Sequence, residues 1–278
     1  MLEVRNGDFS LMKKDKSIYT FNFNEITDLT QLCEKVKELP QFNHWTDSLG
    51  LSPYLQKNFT LILNALIHTS FVHEQPQMNL VSYERLEFLG DAFLDSEISL
   101  MLWQQFPGLS EGQLSKFRSS LVNEEILADW GRALKLDHYI FLGKGEATRK
   151  SVERAIIADC FEALIGALAL IDRSAIYDLL RLWMEKFNEE SELPYFSMKR
   201  LELFDPKTQL QEYTLELYKV VPHYHSEEDE KEGFLCRLTV LDKVLAEATG
   251  KSKKRAEMAA AKKVLIKENY KSLNHHQE

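Results

Sequence analysis

Two groups of carboxylates carry the chemical interest of this chain. The first lies in YERLEFLGDAFLD, residues 83–95, which holds Glu84, Glu87, Asp91 and Asp95. Wound as a helix at about 100° per residue, the four acids share an arc of roughly 80°. The second lies in AIIADCFEALIGALALI, residues 155–171, where Asp159 and Glu162 fall about 60° apart. Ala155, Gly166 and Ala169 share that face, so a second helix could approach it closely. If the neighbour is the 84–95 helix, at least four carboxylates converge. Like charges that close do not all stay ionised without a counter-cation. Carboxylate oxygens and water are the usual ligands of Mg²⁺, and such a site activates water and stabilises phosphoryl transfer. Two plainer readings stand beside this one. The acids of 84–95 would form a solvated stripe, or Asp159 would pair with Arg154 or Arg118 as a structural link.

The elements that must position these acids are helical. From about 53 to 190 the periodicity predicts helices over PYLQKNFTLILNALIHTS, the 84–95 stretch, LSKFRSSLVNEEILADWGRALKL, 155–171 and IYDLLRLWMEKFNEE, with breaks at Phe106–Gly108 and Gly143–Gly145. The circumference of the 84–95 helix outside its acids is mostly apolar, which predicts a helix buried on most sides. SIYTFNFNEI reads as a strand and TDLTQLCEKVKEL as a short helix. Beyond 205 the composition shifts. DPKTQLQEYTLELYK opens on an Asp–Pro helix start. FLCRLTVLDKVLAEATG alternates as a hairpin with its turn near Asp242–Lys243, and KSKKRAEMAAAKKVLIKENY is an alanine-rich helix with a basic start.

The whole chain sets bounds. Its 278 residues, 44% of them hydrophobic, suffice for two domains with real cores. Three unpaired cysteines, Cys33, Cys160 and Cys236, argue for a reducing compartment and against a disulfide frame or zinc finger. No secretory signal opens the chain, and the 155–171 run is too short and too acidic to span a membrane. A net charge of −9 counts against nucleic-acid binding, yet residues 249–267 carry seven basic groups against Glu257 alone. Binding depends on such local patches. The lysines at the start of that helix are placed to track phosphates.

These motifs resemble those of ribonuclease III. ERLEFLGD at 84–91 is similar to the family signature. ALIHTSF at 65–71, LSEGQLSKFRSSLVNEEILA at 109–128, LGKGE at 142–146 and IIADCFEALIGALAL at 156–170 follow in family order. DPKTQLQEY at 205–213 and GKSKKRAEMAAAKK at 250–263 look like the two ends of a double-stranded RNA-binding domain. The resemblance implies an all-α endonuclease domain at 49–187, a linker at 188–204 and a small α-β-β-β-α RNA-binding domain at 205–271. Residues 1–48 form an extension without a recognised counterpart, and 272–278 a tail.

It further implies a cytoplasmic homodimer that cuts double-stranded RNA with Mg²⁺, or Mn²⁺ as a substitute, and uses no organic cofactor. The products carry 5′-phosphates, 3′-hydroxyls and short 3′ overhangs; ribosomal precursors and messenger RNA are the implied substrates. By motif position Glu87, Asp91, Asp159 and Glu162 are the metal ligands, with Asp91 and Glu162 catalytic and Glu84 and Glu111 supporting acids. Asp95 lies outside that set and reads as solvated or capping, and Phe88 falls at the dimer contact. Thr208, Gln211 and Glu212 match minor-groove-facing positions, and Lys251, Lys253 and Lys254 match the phosphate-contacting cluster. His68 is expected to end a helix rather than act as a base.

Two departures stand out. ATRKSVER replaces the glycine pair that usually follows the LGKGE-like motif. SEEDEKEG, with Glu227, Glu228, Asp229, Glu230 and Glu232, replaces a Gly-Pro-x-His-like turn, which predicts weaker RNA binding by this domain or a loop that turns away. The alternative functions are a non-catalytic RNA-binding or ribosome-associated homologue that keeps the fold, and a phosphohydrolase of small nucleotides.

Overall fold

A computed structural model describes residues 23–229 and 233–274. The chain divides between Phe196 and Ser197 into two compact units. The first is helical: α1 (Leu29–Lys37), α2 (Pro40–Ser48), α3 (Ser52–Asn64), α4 (Thr69–Glu74), α5 (Glu84–Gln105), α6 (Glu111–Leu121), α7 (Glu124–Ala133), α8 (Lys144–Ala147), α9 (Arg154–Asp172) and α10 (Ile176–Glu190).

Side-chain caps set several of these starts. Asp28 accepts from the Gln31 amide before α1, and Asn123 accepts from the Ile126 amide before α7. Ser110 and Gln113 cap each other's backbone at the start of α6. Each supplies an oxygen to an amide that the helix itself leaves unpaired.

Indole hydrogen bonds lace the core. Trp130 donates to the Trp183 carbonyl (3.0 Å), Trp183 to Leu49 (2.9 Å) and Trp45 of α2 to Leu134 (2.7 Å). Phe42 and Trp45 are buried here, so α2 belongs to the same core as the helices after it. The expected strand at SIYTFNFNEI falls mostly outside the described residues, and its described part, Phe23–Glu25, is a single 3₁₀ turn. Tyr195, inside the stretch expected to be a linker, is fully buried and donates to the Leu121 carbonyl (3.2 Å).

The second unit contains α11 (Met198–Phe204), α12 (Pro206–Tyr218), strands β1 (His223–Asp229), β2 (Gly233–Val240) and β3 (Lys243–Gly250), and α13 (Lys253–Asn274). The antiparallel sheet runs in the order β1-β2-β3. Asp205 caps α12 by accepting from the Thr208 amide (3.2 Å), with Pro206 in the first turn, where a missing N–H costs nothing. Leu241 and Asp242 both take positive φ, 49° and 57°, the geometry that closes a two-residue hairpin. Cys236, Leu238, Ala246 and Ala248 face inward against Leu210 of α12 and Ala256, Ala260 and Ala261 of α13. The alanines let α13 lie close on the sheet. Among the described residues no helix is long and apolar enough to cross a membrane.

Candidate metal centre

α5 and α9 meet backbone to backbone. A Cβ placed on Gly166 would lie 2.0 Å from the Leu86 carbonyl oxygen, and one on Gly90 would lie 1.7 Å from that of Glu162. Only glycine permits this crossing, and the crossing decides which side chains meet. Glu87 of α5 and Asp159 and Glu162 of α9 each present a carboxylate oxygen, and these oxygens lie within 4.8 Å of one another. All three side chains are half-buried.

The electrostatics follow from that placement. Burial, then the charges of Asp91, Asp159, Glu87 and Asp95, push the Glu162 carboxyl up to about 8. Glu87 is raised by burial and by Asp159, Glu84 and Asp91. Asp159 is raised by burial and by Glu124. No cation pairs with Asp159 among the described residues. Arg154 binds Glu125 (3.3 Å), and Arg118 binds Asp95 (3.7 Å) and Ser99 (3.0 Å), so both arginines expected as structural partners are engaged elsewhere. Three oxygen donors, partly desolvated and lacking a counter-charge among the described residues, fit a hard divalent cation.

The other expected site residues are spread around this group. Asp91 is exposed on α5 and lies outside the three, though among charges it acts most strongly on Glu162. Glu84 is exposed at the start of α5 and accepts from Ser82 (2.8 Å). Glu111 opens α6 and lines a separate pocket of about 630 Å³ with Ser99, Trp103, Phe106 and Arg118. Asp95 is neither a cap nor simply solvated, because its partly buried carboxylate pairs with Arg118.

The expectation that α5 is buried on most sides also fails. Phe88 is 81% exposed and Trp103 68%, and Ala92, Ser96 and Leu100 are exposed between them. Only the opposite face, through Leu86, Gly90, Leu94 and Ile98, packs into the unit. His68 does end a helix, its Nδ1 accepting from the Ser70 amide before α4, and burial lowers its pKa.

Two neighbours of the group escape sequence reasoning. Glu124 arrives on the first turn of α7, from a part of the chain whose spacing bears no relation to α9. Tyr83 directly precedes the acidic run, and its position before Glu84 is signal enough to consider it.

In the second unit Gln211 and Glu212 are exposed and Thr208 half-buried on α12, while Lys251, Lys253 and Lys254 are exposed at the start of α13. The acidic stretch is not all loop. Glu227 and Glu228 are exposed within β1, opposite Leu235 and Phe234 of β2, whereas 230–232 lie outside the described residues.

A Ribonuclease-III-like family model matches residues 58–175, and a double-stranded RNA binding motif matches 206–268. The Ribonuclease 3 of Dehalococcoides mccartyi is 37% identical over 219 residues, covering 75% of this chain and 88% of that protein. The chain belongs to the ribonuclease III family. The Ribonuclease 3 of Borreliella afzelii is 34% identical over 264 residues, 91% of this chain and 97% of that one. That of Streptococcus thermophilus is 39% identical over 212 residues, 74% and 89%. As a ribonuclease III with its RNA-binding motif in place, the chain is an endoribonuclease specific for double-stranded RNA. Glu87, Asp159 and Glu162 all fall inside the nuclease match, and Lys251, Lys253 and Lys254 inside the RNA-binding one.

Proposed function

We propose that the three-carboxylate group, with Asp91 beside it, binds Mg²⁺ or Mn²⁺ and that one strand of duplex RNA is hydrolysed there, each subunit of a homodimer cutting one strand. The observation that carries this reading is the convergence of Glu87, Asp159 and Glu162 with no paired cation among the described residues. When bound, the metal supplies a nucleophilic water at neutral pH and charge stabilisation at phosphorus. The carboxylates hold the ion and orient water through their free oxygens, and none need attack covalently. Glu84 and Glu111 support the site and the RNA surface rather than ligate. The products are 5′-phosphate and 3′-hydroxyl ends with a short 3′ overhang.

The second unit holds the duplex. Thr208, Gln211 and Glu212 face the minor groove, and the three lysines follow the phosphates. Ribosomal precursors and other structured RNAs, messengers included, are the substrates proposed, in the cytoplasm, where the three free buried cysteines stay reduced.

The protein acts as a homodimer. The stripe through Phe88, Leu100 and Trp103 leaves aromatic surface in water in the single chain, and a second copy would cover it. Sedimentation should return twice the chain mass.

Incubation with long double-stranded RNA tests the activity. Short duplex products should form with Mg²⁺ and not with chelator. Glu162→Gln should lower cleavage by roughly three orders of magnitude while RNA binding persists. Near-normal cutting by that variant defeats the site, and uncut RNA with the wild type favours a binding homologue. Activity on nucleotides that survives removal of 205–278 favours the small-molecule reading.

A further inference from the structure

Glu257 is the single acid in the basic run from Lys251 to Lys267. On charge alone it is misplaced, because a carboxylate one turn beyond Lys253 and Lys254 would repel the phosphates that those lysines follow. The fold turns it inward instead. Its side chain is 13% exposed, and one oxygen meets the Lys207 ammonium of α12 at 2.5 Å. The other oxygen accepts from the Ser226 hydroxyl of β1 at 3.5 Å. The Lys207 ammonium also sits over the ring of Tyr224 on β1, 4.5 Å from its centre. One ion pair thus joins α12, β1 and α13.

A salt bridge mostly out of water is a poor source of stability, since desolvating both ions costs about as much as their attraction returns. What the contact fixes is geometry. Lys207 lies in the first turn of α12 and directly precedes Thr208, whereas Glu257 lies one turn beyond Lys253 and Lys254 on α13. The pair therefore ties the helix end that faces the minor groove to the helix end that follows the phosphates. Both ends must reach one duplex together, and the spacing from minor groove to backbone differs between A-form RNA and B-form DNA.

We propose that the Lys207–Glu257 pair is a specificity device of the RNA-binding unit, holding the two RNA-facing helix ends at the spacing that A-form RNA requires. This rests on the assignment of those two faces under the proposed function. Both are positioning residues. The Lys207 ammonium is engaged by Glu257 and Tyr224, and the pair acts through Thr208 and its neighbours on one side and through the lysines on the other.

Binding of the full chain to a duplex RNA of about 16 base pairs tests it, beside a duplex DNA of the same sequence, both in chelator and at low salt. Glu257→Gln is the informative variant, because it leaves a lysine that reaches water rather than a stranded carboxylate. If the charge of Glu257 merely opposed phosphate, its removal would raise both affinities. The positioning role requires the opposite sign. RNA should bind about tenfold more weakly, the size of one lost charge-assisted contact, with DNA little changed. The exchanged variant, Lys207→Glu with Glu257→Lys, rebuilds the pair and should recover most of the RNA preference. RNA affinity at or above wild type in Glu257→Gln overturns the inference. So does a fall shared equally by RNA and DNA, which would mark a loosened unit, and so does an exchanged variant no better than Glu257→Gln. Glutamine at Lys251, Lys253 and Lys254 reads the face itself. If that variant keeps wild-type affinity for both duplexes, the assignment of the lysines falls and this inference with it. Weakened binding there, with Glu257→Gln unchanged, removes this inference alone.

Discussion

The two units treat charge in opposite ways. In the helical unit Glu87, Asp159 and Glu162 are pressed together, half-buried and without a paired cation among the described residues, and burial first, then the charge of acidic neighbours, raises the pKa of each. In the RNA-binding unit charge is either paired or left in water. Lys207 meets Glu257 at 2.5 Å and Arg237 meets Glu247 at 2.6 Å, while Lys251, Lys253 and Lys254 stand exposed. Partly buried charge without a partner is costly, so its persistence at one place marks where a ligand supplies the missing charge. Exposed charge costs little, and it serves a partner that arrives with its own counterions.

The helix crossing is the most direct way to break that contrast. In Gly166→Ala the new methyl would meet the Leu86 carbonyl at 2.0 Å, and backbone cannot step aside as a side chain can. α5 and α9 must separate, which moves Glu87 away from Asp159 and Glu162. Overpacking of this kind costs about 1–3 kcal/mol or more. Melting should drop by several degrees, and cleavage should fall by more than the stability loss explains. A variant that melts and cuts like wild type would show that the close approach does not assemble the site.

Acidity sharpens the same contrast. Glu162 is pushed up to about 8 by burial first and by its acidic neighbours next. Its folded-state pKa lies above the unfolded one, so between the two the folded protein holds more protons than the unfolded chain. The stability of the metal-free protein therefore falls as pH rises through that window. A cation prefers the ionised carboxylates, so the stabilisation given by Mg²⁺ should grow over the same range. Thermal melts at pH 5 and pH 8, each with and without Mg²⁺, measure both signs. An Mg²⁺ effect no larger at pH 8 would argue that the ion binds away from Glu162.

How far the amino-acid sequence revealed this depends on the range of the interactions. Local signals held. Asp205–Pro206 starts a helix, Leu241–Asp242 turns a hairpin, and the small residues beside Asp159 and Glu162 do admit a second helix. What escaped depends on contacts between distant segments. Asp95 looks solvated until α6 brings Arg118 to it. Tyr195 sits in a polar, irregular stretch, yet it fills the core beside Trp130, 4.4 Å between ring centres. The exposed stripe of α5 misleads in a further way. Periodicity shows that a face is apolar, but not whether its cover comes from the same chain, and Phe88 and Trp103 remain uncovered within this one.

The weakest expected effects lie in the RNA-binding unit, where the two signs of exposed charge can be set against each other. Replacing Lys251, Lys253 and Lys254 with glutamine should weaken binding to a short duplex. It should also flatten the salt dependence by about one unit of slope for each phosphate no longer neutralised. Glu227→Gln with Glu228→Gln should do the reverse on a smaller scale. These two carboxylates are exposed on β1, so their repulsion of phosphate acts through water and falls off within a Debye length of about 8–10 Å. A gain of roughly two- to threefold at low salt, vanishing near 0.5 M, is the size expected of two screened charges. The measurement is duplex-RNA affinity of the full chain over a salt series in chelator, so that cleavage does not intrude. If the glutamine pair leaves affinity unchanged at every salt concentration, the acidic end of β1 points away from the duplex, and the three lysines set the electrostatics of this unit without opposition.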